Sequence, residues 1–404
     1  MSAALVARVF APFAAGFFLS YVYRVVNAVV GPGLAGEFGL TAEDLGLLTS
    51  VYFLTFAAFQ LPLGVLLDRF GPRRVDAMLL VIAAAGALLF AMGHSLGALA
   101  LARGLIGLGV SACLMAGFKA FVVWFPDHRL PLANGALVAA GGMGALVATA
   151  PAEAALDVVG WRGLFAGLAA ATVLLALTLA LVVPEKPAGP RESWRDQALG
   201  FRAIARTRVF WRHAPLLGLL HGGYLAIQSL WAGPWLRDVA GLARAEAAQV
   251  LLVIAVAMTA SSLAVGWAAG GLARRGIGLE RVVLAGSLAL VATEAAIAAG
   301  VGASTPWVPW LAFGLCAGFA ALMYSAVTRS FARAMAGRAV TALNLFLFVG
   351  AFVLQYAIGW VIDLVPGSTP EAYAPEGYTL AFGTLVAAQS CAIVWFALGG
   401  RVRA

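Results

Sequence analysis

Charge is what this sequence has least of. Of its 404 residues only 11% are Asp, Glu, Lys or Arg, whereas 63% are hydrophobic and the mean hydropathy is +0.95. A soluble domain carries about 25% charged residues. A chain with half of that cannot cover a water-exposed globule, so its solvent is lipid. The formal net charge is +8, but the basic residues are scattered between apolar runs and form no single stripe. Nucleic acid is therefore not an expected partner.

Cysteine is scarce as well. Cys113, Cys316 and Cys391 each sit inside an apolar run, with neither the paired spacing of a metal site nor a disulfide framework. No metal and no cofactor are expected. The chain also lacks a Gly-x-x-x-x-Gly-Lys phosphate loop, which excludes transport driven by its own ATP hydrolysis. It has no His-Glu-x-x-His, no Gly-x-Ser-x-Gly elbow and no paired catalytic groups at one membrane depth. An enzyme is not expected. A channel would want a repeated pore motif and a receptor an attached signalling domain, and neither is present. Lysine is nearly missing, with two against twenty-four arginines.

What the sequence does have is long apolar stretches. About 20 apolar residues are needed to cross ~30 Å of hydrocarbon as a helix. Stretches of that kind fall near 9–32, 45–66, 75–93, 97–120, 131–152, 162–183, 213–236, 247–269, 281–300, 307–328, 339–362 and 379–399. Arg8 ahead of the first could imitate a signal peptide. Eleven more stretches follow it without a clear small-residue cleavage site, so it is read as a retained span.

The basic residues orient these twelve spans. With the N-terminus in the cytoplasm, the inside segments hold Arg69, Arg73, Arg74, Arg129, Arg274, Arg275, Arg281, Arg329, Arg333, Arg338, Arg401 and Arg403. The outside segments hold mostly acids: Glu37, Glu43, Asp44, Glu153, Asp157, Glu371 and Glu376. The positive-inside rule then puts both termini in the cytoplasm. The one break in composition begins at Pro184-Glu185-Lys186-Pro187. It predicts an N-terminal six-helix bundle over 1–183, a basic cytoplasmic connector over 184–212 and a C-terminal six-helix bundle over 213–404. Such a connector would lie on the anionic inner leaflet.

Between the second and third spans stands Gly64-Val-Leu-Leu-Asp68-Arg69-Phe-Gly71-Pro-Arg73-Arg74. Gly64 and Gly71 suit close helix approach and a tight turn. Asp68 can accept from a helix N-terminus, and Arg69 can bridge to carboxylates or carbonyls. The pattern and its place resemble the signature loop of the major facilitator superfamily, except that Pro72 stands where a basic residue is usual. A partial echo, Gly266-Trp-Ala-Ala-Gly270-Gly271-Leu-Ala-Arg274-Arg275-Gly276, follows 202 residues after Gly64. That offset is half the chain, as two related halves require. The resemblance implies an all-α membrane protein of twelve transmembrane helices in two pseudo-symmetric six-helix bundles. It also implies a gating role for Gly64, Asp68, Arg69, Gly71, Arg73 and Arg74. Span four opens with Arg103-Gly104-Leu-Ile-Gly107-Leu-Gly109, similar to a family motif whose arginine is linked with proton movement; a packing role for Arg103 is equally open.

Span five carries Gly141-Gly142-Met-Gly144 and Pro151, without the Gly-Pro-x-x-Gly-Gly pattern of the family's drug antiporters. Trp124-Phe125-Pro126, Gly160-Trp161-Arg162 and Gln228-Ser-Leu-Trp231-Ala-Gly-Pro234-Trp235 resemble a bacterial branch loosely related to nitrate and organic-anion permeases.

Ionisable residues inside a span point to function by default. Tyr21, Arg24 and Asn27 recur every three residues on one helical face. A guanidinium, a phenol and an amide suit a carboxylate or phosphate, the alternative being an arginine that snorkels to the surface. Lys119 either joins this site or snorkels to the cytoplasm. Span seven places His221, Tyr224, Gln228, Trp231 and Trp235 on roughly one stripe. There His221 could carry a coupling proton or serve as a structural residue, and the tryptophans could belong to an interface belt. Glu294 in span nine is a proton carrier or a structural acid. Gln60, Tyr324, Asn344 and Gln355 are cavity lining or interhelical hydrogen bonds.

The expectation is thus a monomeric secondary transporter in a bacterial inner membrane. It would move a small, anionic solute by alternating access, with substrate near the midplane, coupled to protons or by exchange. The alternatives are a proton-driven exporter of amphipathic drugs and a solute receptor that does not transport.

Overall fold

The computed structural model describes residues 5–184, 194–275, 278–328, 330–331, 333–369 and 372–399. Among these no strand occurs. The α-helices run α1 (Ala11–Val25), α2 (Asn27–Phe38), α3 (Ala42–Ala91), α4 (Leu96–Val110), α5 (Cys113–Trp124), α6 (Leu130–Val147), α7 (Ala150–Val182) and α8 (Trp194–Ala205). They continue with α9 (Arg208–Ala226), α10 (Ala232–Asp238), α11 (Arg244–Arg274), α12 (Leu279–Ala298), α13 (Trp307–Cys316), α14 (Ala320–Thr328), α15 (Arg333–Asp363) and α16 (Pro375–Leu398).

Among the described residues nine helices are long and apolar enough to cross a membrane, fewer than the twelve stretches read from hydropathy. Segmentation accounts for the difference. The expected second and third spans are joined in α3, 50 residues long, and the loop between them shrinks to a bend at Gly71 with φ 78° and ψ 159°. Only glycine takes that conformation without strain. The fifth stretch survives as a shorter apolar helix, Leu132–Val147. The seventh is interrupted by a π-helical turn, Ile227–Trp231, between α9 and α10. A second glycine break, Gly160 in α7, marks where the expected sixth span begins. Part of the connector is helical, as α8, while residues 185–193 lie outside the described residues. The echo at 266–276 falls on Gly276 and on side chains that also lie outside them.

The chain forms two compact units. One comprises Met1–Asn27 and Val51–Gln197, the other Ala28–Ser50 and Ala198–Ala404.

In the first unit α1 packs along α6. At Gly144 any Cβ would run into the backbone carbonyl of Phe18, and at Gly141 it would meet the rings of Phe17 and Tyr21. Lipid gives helices no hydrophobic incentive to associate, so such small-residue contacts supply the dispersion that holds them. Farther along, Phe90 of α3 stacks on Phe165 of α7 with ring centroids 4.2 Å apart.

In the second unit α9 packs on α15 with Gly218 and Gly350 in backbone contact. Residues 28–50 belong here because of polar bonds at the end of α15. The Asp363 carboxylate accepts from the N–H of Ala42 at 3.1 Å and of Glu43 at 2.7 Å, so the last residue of α15 caps the N-terminal turn of α3. Thr41 and Asp44 add a reciprocal capping pair. Tyr356 donates to Glu43, and Gln355 to Thr49. Tyr373, in the loop before α16, has its phenol pushed up by burial and by Asp363, Asp238 and Asp44, so it stays neutral. Replacing Asp363 with alanine orphans two N–H groups and removes an anion from a helix N-terminus. The expected cost is about 1–2 kcal/mol, read as a lower unfolding midpoint in detergent.

Candidate functional site

In the first unit the centre is Arg24, which is 5% exposed although it carries a full charge. Its guanidinium lies over the Tyr21 ring at 4.5 Å and over the Phe56 ring at 5.4 Å. These aromatic faces stabilise a cation without neutralising it. Asn27 is 1% exposed, and its amide oxygen accepts no hydrogen bond among the described residues. Tyr21, Arg24 and Asn27 thus occupy one stretch of the first unit, with a helix break at Val26 between Arg24 and Asn27.

The other first-unit candidates are engaged with protein. Lys119 forms an ion pair with Asp68 of the glycine-rich motif. Gln60 donates to the Ser111 carbonyl at 3.3 Å. Arg103 is 1% exposed, donates to the Tyr23 carbonyl at 3.1 Å and lies over the Tyr52 ring at 4.9 Å. It thereby ties α4 to α1 and α3. Within the motif, Arg73 donates to the Ala180 carbonyl at the end of α7, a cation at a helix C-terminus. Arg69 and Arg74 are exposed, and Gly64 is half-buried. Arg69 lies over the Phe70 ring.

In the second unit the span-seven stripe divides. His221 stacks on Tyr224 with centroids 5.5 Å apart, and Tyr224 stacks on Phe313 of α13 at 4.4 Å. Gln228 donates to the Met258 sulfur on α11 at 3.2 Å. Trp231 donates to the Gln355 carbonyl on α15 at 3.0 Å, and Trp235 meets Trp310 edge-on. The π turn changes the helical register within Ile227–Trp231, so residues spaced for one face reach three different helices. Gln355 also accepts from Ser229 at 3.0 Å, and Tyr324 donates to Asn344 at 2.5 Å. Glu294 of α12 is fully buried, with Gln389 of α16 beside it.

Asp76 is a functional candidate that the sequence reading did not single out. It stands five residues beyond Gly71 in the second limb of α3 and is fully buried, and neither oxygen accepts a bond from N–H or O–H among the described residues. A Cβ on Gly16 of α1 would lie 3.6 Å from its Oδ2 and 3.8 Å from the Cys113 sulfur on α5. The sequence signal was an aspartate just inside an apolar run. Among the described residues no cluster of His, Cys, Asp and Glu could hold a metal ion.

The family model for the Major Facilitator Superfamily matches residues 13–355. A Cupriavidus necator protein named "Probable sulfoacetate transporter SauU" is 25% identical over 56% of this chain and 56% of its own. The "Hexuronate transporter" of Escherichia coli K12 is 29% identical over 37% of this chain and 35% of its own. The "Probable nitrate/nitrite antiporter NarK1" of Thermus thermophilus is 28% identical over 57% and 54%. The chain thus spans from about a third to just over half of these relatives' lengths. Among solved structures, a bacterial homolog of the human lysosomal transporter Spinster, inward-facing and unoccupied, superposes with TM-score 0.76. It is 17% identical and covers 99% of this chain and 96% of that one, a likeness of fold.

Proposed function

Because the chain belongs to the Major Facilitator Superfamily, a family of multi-pass membrane transporters, we propose that it carries a small organic anion by alternating access, received by Arg24. One observation carries this reading: a guanidinium 5% exposed, flanked by the Tyr21 ring and followed by the buried amide of Asn27. A cation inside a membrane span points to function by default, and the planar fork of this one matches a carboxylate or sulfonate. The relatives named for sulfoacetate and hexuronate transport support that chemical class. Lys119, paired with Asp68, has no part in the proposed anion site. The arginine distribution supports an inner-membrane orientation with both termini in the cytoplasm.

The test is uptake into proteoliposomes of labelled sulfoacetate, D-glucuronate and nitrate, beside an uncharged sugar and a lipophilic cation. Saturable uptake of an organic anion, competed by the other organic anions, is the expected result. Uptake of the cation with none of the anions would overturn the reading in favour of a drug exporter. Binding of an anion without flux under any ion gradient would overturn it in favour of a receptor.

A further inference from the structure

We propose that the cavity where α9 begins and α16 ends binds the headgroup phosphate of an anionic phospholipid, received by Arg206 and Arg208. The site lies wholly in the second unit and is independent of which solute is carried. The cavity holds about 320 Å³, within the roughly 300–1,000 Å³ usual for small-ligand pockets. Arg206, Arg208, Arg212, Trp211 and Trp395 contribute to its wall.

The charges there do not balance within the protein. Arg208 and Arg212 stand one turn apart on α9, a spacing at which like charges repel. Arg212 is paired: it donates to both oxygens of Glu280 on α12, at 2.8 and 3.1 Å, and to the Phe396 carbonyl at 2.9 Å. That pairing also engages the Glu280 carboxylate, which would otherwise oppose an incoming anion. Arg206 and Arg208 are exposed, and their guanidinium groups make no hydrogen bond, ion pair or ring contact among the described residues. Two positive charges thus line one cavity without a protein anion to meet them. The N-terminal turn of α9 adds to the positive field. Thr207 caps that turn by accepting from the Phe210 N–H at 3.3 Å, and a helix start has further N–H groups to offer.

The aromatic part of the wall is held in place. The Trp211 indole donates to the Ala205 carbonyl at 2.7 Å, and the Trp395 indole donates to the Trp211 carbonyl at 2.9 Å. With both rings already fixed, little side-chain freedom is lost when a ligand enters.

A lipid is favoured over a soluble phosphate by the surface that leads away from the cavity. Helix α16 is long and apolar enough to cross a membrane. Along one face it exposes Cys391, Val394, Trp395 and Leu398, spaced at three and four residues. Trp395 belongs to both the cavity and this face, so a phosphate bound in the one leaves an acyl chain along the other. Trp211 and Trp395 are 43% and 57% exposed, which suits the headgroup level of a bilayer, where one end of an indole is apolar and the other wet. Basic pockets between helices at that level recognise lipid phosphates.

The experiment titrates phosphatidylglycerol into purified protein in an uncharged detergent, which removes the general field of an anionic leaflet. Bound lipid is counted by native mass spectrometry. Each basic group beside anionic lipid contributes about fivefold in affinity, so Arg206→Ala with Arg208→Ala should weaken binding roughly thirtyfold. Arg129→Ala with Arg281→Ala, an equal loss of charge from two other exposed arginines, should leave the affinity unchanged. Phosphatidylcholine, whose phosphate is offset by its own cation, should bind the wild type no better than it binds the Arg206/Arg208 variant. Should that variant not fold, Arg206→Gln with Arg208→Gln takes its place. Equal losses in the two double variants would overturn the site in favour of diffuse charge. Inorganic phosphate that competes on equal terms with phosphatidylglycerol would overturn the lipid assignment, since the exposed face of α16 would then contribute nothing.

Discussion

Replacing Arg24 with alanine should lower the initial rate of D-glucuronate uptake into proteoliposomes by about a hundredfold or more. The magnitude follows from the bonds a guanidinium makes to an anion. Hydrogen bonds to charged groups contribute about 1.5–3 kcal/mol each, and a guanidinium makes two to one carboxylate, so roughly 3 kcal/mol or more goes with the side chain. Arg24→Lys should recover part of the rate, because the charge returns without the fork. The Tyr21 and Phe56 faces, at 4.5 and 5.4 Å, suit a flat cation better than an ammonium. Arg24→Met keeps most of the volume and should be as inactive as alanine, separating charge from packing. Uptake that stays at the wild-type rate in both Arg24→Ala and Arg24→Met would remove the anion site from this protein.

Replacing Gly144 with valine should lower the unfolding midpoint in detergent by about 6–12 °C. The backbone carbonyl of Phe18 occupies the position a Cβ would take, and no rotamer moves a backbone. Helices α1 and α6 would have to separate along their whole contact, at an expected cost of about 3 kcal/mol, or a few degrees per kcal/mol for a unit of this size. Gly135 on the same helix has nothing within 4 Å of its Cβ position. Gly135→Ala should therefore leave the midpoint unchanged or raise it, since alanine is the better helix former. Equal losses for Gly135→Ala and Gly144→Val would mean that α6 is held by helix propensity rather than by its approach to Phe18.

The two predictions rest on unequal foundations in the sequence. Arg24 was legible because a charge in the middle of an apolar stretch stands out in any single sequence, and Tyr21 and Asn27 follow from the helical period. The Gly64–Arg74 motif was legible for the same reason: its residue types and spacing sit in one short run. Lys119 was visible as an oddity, but not its partner, because Asp68 lies 51 residues away and nothing in the chain marks the pairing. Gln355 likewise meets Ser229 across 126 residues. The span-seven residues are spaced for one face at a constant helical period, whereas a π turn between Ile227 and Trp231 changes that period. Asp76 is not legible in the sequence because its weight comes from burial, and burial depends on which face of a span turns inward. The count of spans depended on where helices break: Gly71 bends the chain without ending the helix, so hydropathy divides what hydrogen bonding joins.

The ion pair of Lys119 with Asp68 has a consequence for chemistry done on this protein. With two lysines in the whole sequence, an amine-acylating reagent finds two side-chain targets, and one of them is clasped to the family's signature motif. Ammonium groups acylate only when they shed both proton and partner, so the modification rate at Lys119 is a clock for how often that clasp lets go. The reporter is already in the native chain, and it follows from the near absence of lysine elsewhere.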